Sequence, residues 1–314
     1  MTLIGSFFAR NTEQPSAVSQ TGFDEDAWLQ DRFALRPDHV TRSDIPQGQS
    51  SISLTQFVAK GKPFMIRKRV RNKRKDEIAF MGGLSRPHDI TRRALQLDWP
   101  LPHVFHLAQT AAHTDIYMQY VDGVGYRAPA VANGLVRSLT TAIFSLSLIL
   151  PVICRNGDVT LERRGHPGGR FLAAVEMLVP GSEARLRDVV RLQRHLPLIA
   201  SHNDIFWPNM GIVSQEDKAQ VTFIDFGMLG LNVVGAELHH FARVSVRSKS
   251  RTVLFRRICR HYAQLTRMDP AVIEMNAMFY ALMRLTAYDL EGNQERVARL
   301  CAETLERYEA LTAG

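Results

Sequence analysis

Residues 202–227 constrain this chain more than any other stretch, because polar residues stand at fixed spacings around two apolar runs. The runs are residues 210–213 and 221–224, and the polar residues between them are typical of a turn. The pattern predicts a β-hairpin. Such a hairpin brings the residue before its first strand close to the residue after its second strand.

The polar residues at the two ends of this hairpin suggest a chemistry. Asn209 precedes the first run, Asp225 follows the second, and Asp204 lies five residues before Asn209. Oxygen ligands of this kind suit a hard cation. We therefore expect Asn209 and Asp225 to hold Mg²⁺ against the triphosphate of ATP, while Asp204 accepts the proton of an attacking hydroxyl. His202 is expected to orient the loop by hydrogen bonding. A polar loop and turn without chemistry is the alternative interpretation.

These residues resemble the protein-kinase-like small-molecule phosphotransferases, which include aminoglycoside phosphotransferases, choline and ethanolamine kinases and homoserine-kinase-like proteins. His202-Asn203-Asp204 with Asn209 is similar to the HND-x4-N loop of the choline and ethanolamine kinases, and also fits the HGD-x4-N loop of the aminoglycoside group. Residues 224–227 (IDFG) match the second metal motif. Residues 235–241 resemble a downstream segment in which many members carry aspartate, and here the acid is Glu237.

The resemblance implies an α+β, bilobal protein-kinase-like fold with a small antiparallel-sheet N-lobe and a larger, mainly helical C-lobe. It implies an ATP- and Mg²⁺-dependent phosphotransferase that acts on an alcohol group of a small molecule. We expect residues 1–45 to form an extension packed loosely on the smaller lobe, and residues 46–118 to form the nucleotide-binding lobe. Residues 119–314 are expected to form the helical lobe with the catalytic loop and acceptor site.

In the nucleotide lobe, residues 47–51 predict a tight turn between two strands. By resemblance, the main chain around Gly48 and Ser50 covers the phosphates, since converging N–H groups bind anions and glycine allows close approach. A plain hairpin turn is an equal alternative. The resemblance also places Gln119 and Val121 at the strand that meets the adenine edge.

Lys68 ends an apolar strand and is the predicted phosphate-binding lysine, although Arg67 and Arg69 flank it and leave the register open. Glu77 begins a helical pattern and is predicted to orient Lys68. The alternative for Glu77 is an acid favoured in a first helical turn by the helix dipole.

Other residues near the motif have weaker patterns. Trp207 and Glu237 are candidates for the acceptor site, although packing under the loop is the favoured role of Trp207. His239 and His240 suggest a metal, but adjacent residues diverge on a helix and no third ligand has a suitable spacing. Core or surface roles are favoured for both histidines.

The net charge of +8 is concentrated in two basic clusters, at residues 67–75 and 243–260. Neither a nucleic-acid-reading module nor interleaved aromatic residues accompany the first cluster, so we expect no specific nucleic acid partner. The second follows the metal motif, where the related enzymes build the acceptor pocket. This leaves an anionic acceptor open, and it argues against an aminoglycoside, whose ammonium groups prefer acidic pockets.

Three widely spaced cysteines, Cys154, Cys259 and Cys301, form neither a disulfide framework nor a zinc cluster, and suit a reducing, cytoplasmic location. No secretory signal is expected. Residues 138–154 are uncharged but contain Pro151 and several hydroxyl residues, which favours a buried helix broken at Pro151 over a membrane span. The sequence predicts neither the acceptor's identity nor the oligomeric state.

Two other functions remain open at this point. The chain could be a kinase-fold binding protein without turnover, since the glycine turn and the strand lysine are weakly marked. It could also be a protein or glycolipid kinase. Phe206 stands where protein kinases carry a lysine, two residues after the catalytic aspartate, which argues against a protein substrate.

Overall fold

A computed structural model of the chain describes residues 19–20, 22–46, 51–86, 99–124, 133–164, 167, 169–215, 218–288 and 291–313. The chain divides into two compact units. The first comprises Met1–Asp122 with Pro151–Thr160, and the second comprises Gly123–Leu150 with Leu161–Gly314.

The first unit is built on a six-stranded sheet in the order β1-β5-β6-β4-β3-β2. Its neighbouring strands are antiparallel, except that the two-residue β1 runs parallel to β5. The strands are β1 (Ser19–Gln20), β2 (Val40–Ile45), β3 (Ser53–Ala59), β4 (Lys62–Arg71), β5 (Val104–Gln109) and β6 (His113–Gln119).

One face of this sheet is covered by helix α1 (Glu25–Phe33), whose Leu29 is fully buried with Phe57 and Tyr117. The carboxylate of Glu25 accepts hydrogen bonds from Arg42, Arg67 and the Tyr117 hydroxyl. Asp24 caps the helix through bonds to two main-chain N–H groups.

This arrangement differs from the loose extension expected for residues 1–45. Strand β2 pairs along its whole length with β3, from Val40 opposite Ala59 to Ile45 opposite Leu54. The sheet therefore begins before residue 46, and α1 belongs to its core. The partners of Glu25 come from distant parts of the chain, so a local polar composition did not reveal this packing.

The opposite face carries helix α2 (Lys75–Ser85). Successive side chains of a strand point to opposite faces. On β4, Arg67 contacts Glu25 of α1, whereas the adjacent Lys68 contacts Glu77 of α2. This alternation places Lys68 and Arg67 on opposite faces of the sheet.

The second unit is mainly helical, with two small antiparallel strand pairs. Strand β7 (Leu198–Ser201) pairs with β10 (Gly230–Val233), and β8 (Met210–Gln215) forms a hairpin with β9 (Lys218–Phe223). The helices are α3 (Asn133–Asn156), α4 (Gly169–Leu178), α5 (Ser182–Gln193), α6 (His239–Ser245), α7 (Lys249–Thr266), α8 (Pro270–Tyr288) and α9 (Gln294–Thr312).

Helix α3 is the one described helix with the length and composition of a membrane span, over Gly134–Asn156. Just over half of its most apolar window, 56%, is buried within the protein, including Leu139, Ile143 and Leu146. These contacts agree with the buried helix that the sequence favoured. The helix continues through Pro151 to Asn156, so the expected break at this proline is wrong.

Candidate active site

The predicted hairpin is present, but its strands are longer than expected, because residues 214–215 and 218–220 of the predicted turn belong to β8 and β9, and β9 ends at Phe223. Met210 lies opposite Phe223, and the N–H of Ile224 donates to the carbonyl oxygen of Asn209 at 2.9 Å. This bond closes the open end of the hairpin. As a result Asn209, just before the first strand, is held beside the segment that leads into Asp225, just after the second.

Asp225 has a left-handed backbone conformation, with φ of 63°, and is partly buried. A non-glycine residue in this region of φ/ψ space is uncommon, although aspartate is among the residues that tolerate it best. Such conformations persist where the surrounding structure enforces them, and they concentrate at functional sites.

The loop before the hairpin is held in place by buried hydrogen bonds. His202 is fully buried, and its Nε2 lies 3.0 Å from the carbonyl oxygen of Ile224. Asn203 is left-handed with φ of 57°, and its Nδ2 donates to the carbonyl oxygens of Ser201 and Met228. Its Oδ1 accepts from Nδ2 of Asn232 on β10. These bonds fix the orientation of the peptide that leads into Asp204.

Asp204 is held from two sides. Its Oδ1 lies 2.7 Å from Nε2 of His240, and its Oδ2 accepts from Nδ2 of Asn209 at 2.7 Å. Burial raises the pKa of Asp204, but the hydrogen bond and charge of His240 outweigh this effect, so the pKa lies below its ordinary value. Asp204 is therefore an ionised, oriented carboxylate. Because Asn209 uses its nitrogen on Asp204, its amide oxygen is the atom that can coordinate a cation.

In the sheet unit, Lys68 and Glu77 form a buried ion pair. Nζ of Lys68 lies 2.6 Å from Oε1 of Glu77, and the two side chains are 8% and 3% exposed. Arg74 also donates to Glu77, through Nη1 to Oε2 at 2.7 Å. Arg69 is occupied elsewhere, by a two-bond contact with Asp115. Lys68 is thus the cation of this strand that is oriented by an acid of α2.

Searches for similar proteins gave matches among solved structures only. No protein-family model matches the sequence, and no curated protein is similar to it. A GDP complex of a mutant aminoglycoside 2′-phosphotransferase-IIIa has a TM-score of 0.54 at 13% identity, over 92% of this chain and 97% of that one. A GDP and kanamycin complex of a related 2″-phosphotransferase has a TM-score of 0.55 at 11% identity, over 91% and 97%. A Streptomyces rimosus aminoglycoside phosphotransferase with ADP and streptomycin has 0.50 at 15%, over 78% and 92%.

This chain has the protein-kinase-like fold of the aminoglycoside phosphotransferases. The predicted fold class is confirmed, with an antiparallel-sheet N-lobe and a helical C-lobe. At these identities the likeness describes the fold and leaves the reaction to be argued from the residues.

Within the kinase-like fold, the other predicted site residues have varied surroundings. The N–H of Gln119 donates to the carbonyl oxygen of His103 at 2.7 Å, and the N–H of Tyr120 donates to that of Phe64. Val121 follows directly, and the contact of Gln119 and Val121 with an adenine edge stays a prediction. Gly48 and Ser50 lie outside the described residues.

The two candidate acceptor residues of the kinase-like C-lobe differ in exposure. Trp207 is partly exposed, and its ring packs edge-on against Phe241 at 5.4 Å. Glu237 is only 1% exposed and shares a small pocket with Tyr262 and His202, so it offers no surface to an acceptor, contrary to the expectation. Burial raises the pKa of Glu237 to about 7.

The contact between His240 and Asp204 was missed by the sequence analysis. His239 and His240 are the first two residues of α6. Potential ligand atoms of both histidines and of Asp204 lie within 4.8 Å of one another. A third potential ligand group therefore lies near the two histidines in space, although no spacing along the sequence indicated it, and both histidines are buried as a core role requires. The resemblance of residues 235–241 to a downstream segment of the related enzymes was the available signal, but it did not indicate a partner for His240.

The surroundings of this triad favour a hydrogen bond over a metal ion. Burial lowers the pKa of both histidines, so both imidazoles are neutral near pH 7. The positive charges of Arg243 and Arg284 lower both pKa values further. The same positive field disfavours a cation between these side chains, and we assign the Asp204–His240 contact as a positioning hydrogen bond.

Proposed function

We propose that this chain is an ATP- and Mg²⁺-dependent phosphotransferase that moves the γ-phosphoryl group to a hydroxyl of a small molecule. The observation that carries the proposal is the Asp204–Asn209 hydrogen bond at the base of a hairpin that ends in Asp225. This bond keeps the ionised carboxylate of Asp204 beside the amide oxygen of Asn209 and close to the segment that carries Asp225. Oxygen donors in this combination fit Mg²⁺.

In the proposed mechanism, Asp204 orients the acceptor hydroxyl and takes its proton as the new O–P bond forms. Asn209 and Asp225 would hold Mg²⁺, which neutralises the charge of the triphosphate when it is bound. Lys68, oriented by Glu77, would bind the phosphate oxygens. Catalysis of this kind consists mainly of positioning and charge stabilisation.

The nature of the acceptor and nucleotide is part of the proposal. The similar structures were solved with GDP or ADP and with kanamycin or streptomycin, so their fold accommodates a nucleotide and a small acceptor. We propose ATP as the donor here and an alcohol as the acceptor. The positive field around Asp204 favours an acceptor that carries negative charge.

Two substitutions test the assignment. Asp204→Ala should reduce phosphoryl transfer, measured as ATP turnover with a panel of alcohols, by roughly 10²–10⁴-fold, because it removes the general base. Its affinity for Mg-ATP in a calorimetric titration should stay within a few fold of wild type. Asp225→Ala should instead lose the Mg²⁺-dependent part of nucleotide binding. Asp188→Ala, at a partly exposed aspartate of α5, is the matched control.

If the chain is instead a binding protein without turnover, Mg-ATP should bind, but phosphoryl transfer to an alcohol should not be measurable in the wild type or in either variant. Unaltered turnover in Asp204→Ala would refute the role of this carboxylate. Unaltered Mg²⁺-dependent binding in Asp225→Ala would refute the metal site.

A further inference from the structure

Two arginines of the helical unit, Arg243 and Arg284, lie close enough to Asp204 to interact with its charge, and Arg247 and Arg296 interact with the charge of Arg243. Arg243 follows His240 by one turn on α6, so the two side chains share a face of that helix.

Arg284 follows Tyr280 by one turn on α8, and the ring of Tyr280 packs edge-on against His239 at 4.8 Å. Helix α8 packs against both α6 and α9, and Arg296 lies in the first turn of α9. Arg247 lies just beyond the end of α6. We call Arg243, Arg247, Arg284 and Arg296 the arginine cluster.

The members of the arginine cluster repel one another. Burial lowers the pKa of Arg243, and the charges of Arg284 and Arg296 lower it further, while Asp204 acts in the opposite direction. The pKa of Arg247 is also lowered, by burial and then by the charges of Arg296 and of other arginines. Folding has therefore concentrated positive charge beside the catalytic carboxylate.

Few acids of the protein offset this charge. Among the described residues, no carboxylate lies within ion-pair distance of Arg243 or Arg247, whereas Arg307, on α9, binds Glu274 and Glu306. Nε of Arg243 is buried without a hydrogen-bond partner. A buried donor that stays unsatisfied destabilises the folded protein. An anionic ligand at the partly exposed Arg243 would relieve the repulsion between the arginines.

We propose that the arginine cluster binds a phosphate group of the acceptor, so that the substrate is a phosphorylated small alcohol whose free hydroxyl reaches Asp204. This inference rests on the proposed function and specifies its substrate class. Guanidinium groups bind phosphate through paired N–H donors, and several of them match a dianion better than a single carboxylate. An ammonium-rich acceptor such as kanamycin would be repelled.

The reaction on such a substrate is balanced. The hydroxyl oxygen forms a bond to the γ-phosphorus of ATP, and the bond from that phosphorus to the bridging oxygen of ADP breaks. The hydroxyl proton passes to the carboxylate of Asp204. The products are ADP and an acceptor with two phosphoryl groups, and the group held by the arginine cluster is unchanged.

The test measures the binding of defined probes to the whole protein in Mg²⁺-free buffer, by thermal shift and calorimetry. Glucose 6-phosphate and glycerol 3-phosphate should raise the melting temperature, whereas glucose, glycerol and kanamycin should not. Arg243→Gln should weaken phosphoester binding roughly tenfold or more, since it removes charged hydrogen bonds. Arg256→Gln, at an exposed arginine of α7 outside the cluster, is the matched control and should bind like wild type.

Further variants separate this site from the nucleotide site. Asp225→Ala should keep its phosphoester binding, because the metal ligand is not part of the arginine cluster. Arg243→Lys, which keeps the charge but not the paired donors, should lie between wild type and Arg243→Gln. The melting temperature of each variant without ligand shows whether it folds.

Several outcomes would overturn the inference. These are equal responses to glucose and glucose 6-phosphate, unchanged phosphoester binding in Arg243→Gln, or binding to phosphatidylglycerol vesicles without any response to the soluble phosphoesters. If Mg-ATP binds and phosphoesters do not, the substrate class fails and the phosphotransferase proposal stands. If phosphoesters bind and Mg-ATP does not, the phosphotransferase proposal fails and the anion site stands.

Discussion

At the scale of single residues, the geometry of the proposed catalytic loop depends on which hydrogen-bonding atom of each side chain contacts its neighbours. The amide nitrogen of Asn209 donates to one carboxylate oxygen of Asp204, which leaves the amide oxygen for another partner. His240 binds the second oxygen of the same carboxylate. Asp204 is thus held at both oxygens in a partly exposed position. A general base needs this combination of fixed orientation and access.

At the residue scale, we predict that His240 controls both the orientation and the pKa of Asp204. Its removal in His240→Ala should release Asp204 and lower turnover about 10²-fold, with little change in Mg-ATP affinity. The hydrogen bond and charge of His240 lower the pKa of Asp204, so its loss should move the acidic limb of the pH–rate profile to higher pH. A profile measured on wild type and variant gives both quantities.

His240→Gln, which restores a donor near the position of Nε2, should recover part of the rate. His195→Ala, at an exposed histidine, is the control and should behave like wild type. A rate loss without any movement of the acidic limb would mean that His240 serves the fold alone.

At the scale of elements, helix α2 is positioned by a close approach of main chains. A Cβ placed on Gly83 would lie 2.5 Å from the carbonyl oxygen of Ile153, near the end of α3. Glycine is required there because that oxygen belongs to the backbone and cannot move aside like a side chain. The same helix carries Glu77, so its position also sets the Lys68–Glu77 pair.

The element-scale prediction compares two neighbouring glycines of α2. Gly83→Ala should lower the free energy of unfolding by about 1–3 kcal/mol through overpacking, and should weaken Mg-ATP binding by moving Glu77. Gly82→Ala, where an added Cβ meets no atom within 4 Å, should be neutral or stabilise the helix by up to ~1 kcal/mol. Urea unfolding and calorimetry measure both effects. Equal effects of the two substitutions would contradict the close contact.

At the scale of the whole molecule, burial of acids and bases couples stability to pH. Glu237 lies in the interior of the helical unit, and burial raises its pKa from 4.5 to about 7. The folded protein therefore keeps this proton at pH values where the unfolded chain has lost it. Between pH 4.5 and 7, unfolding releases a proton, and the contribution of Glu237 to stability falls as pH rises.

The whole-molecule prediction isolates this contribution. Glutamine has the shape and charge of the protonated acid, so Glu237→Gln should remove the fall in stability with rising pH that Glu237 causes. The free energy of unfolding of wild type minus that of Glu237→Gln should fall by about 3 kcal/mol between pH 4.5 and 7, from about 1.4 kcal/mol per pKa unit. Urea titrations at several pH values measure the difference. Glu295→Gln, at an exposed glutamate, should show no such change, and a flat difference for Glu237→Gln would contradict its raised pKa.

The sequence by itself determined the local part of this protein. Two apolar runs separated by polar residues specified the β8–β9 hairpin, and the spacing of Asp204, Asn209 and Asp225 around it followed from the chain order. These features depend on residues that are close in the chain, where strand geometry permits few arrangements.

Only the tertiary structure decided which distant residues meet. It placed His240 against Asp204, buried Glu237, and joined α1 to the sheet through Glu25. It also paired β2 with β3 and gathered arginines from several helices near one carboxylate. Residue types and spacings along a chain do not specify such contacts, because they depend on how whole helices and strands pack once their apolar faces are buried.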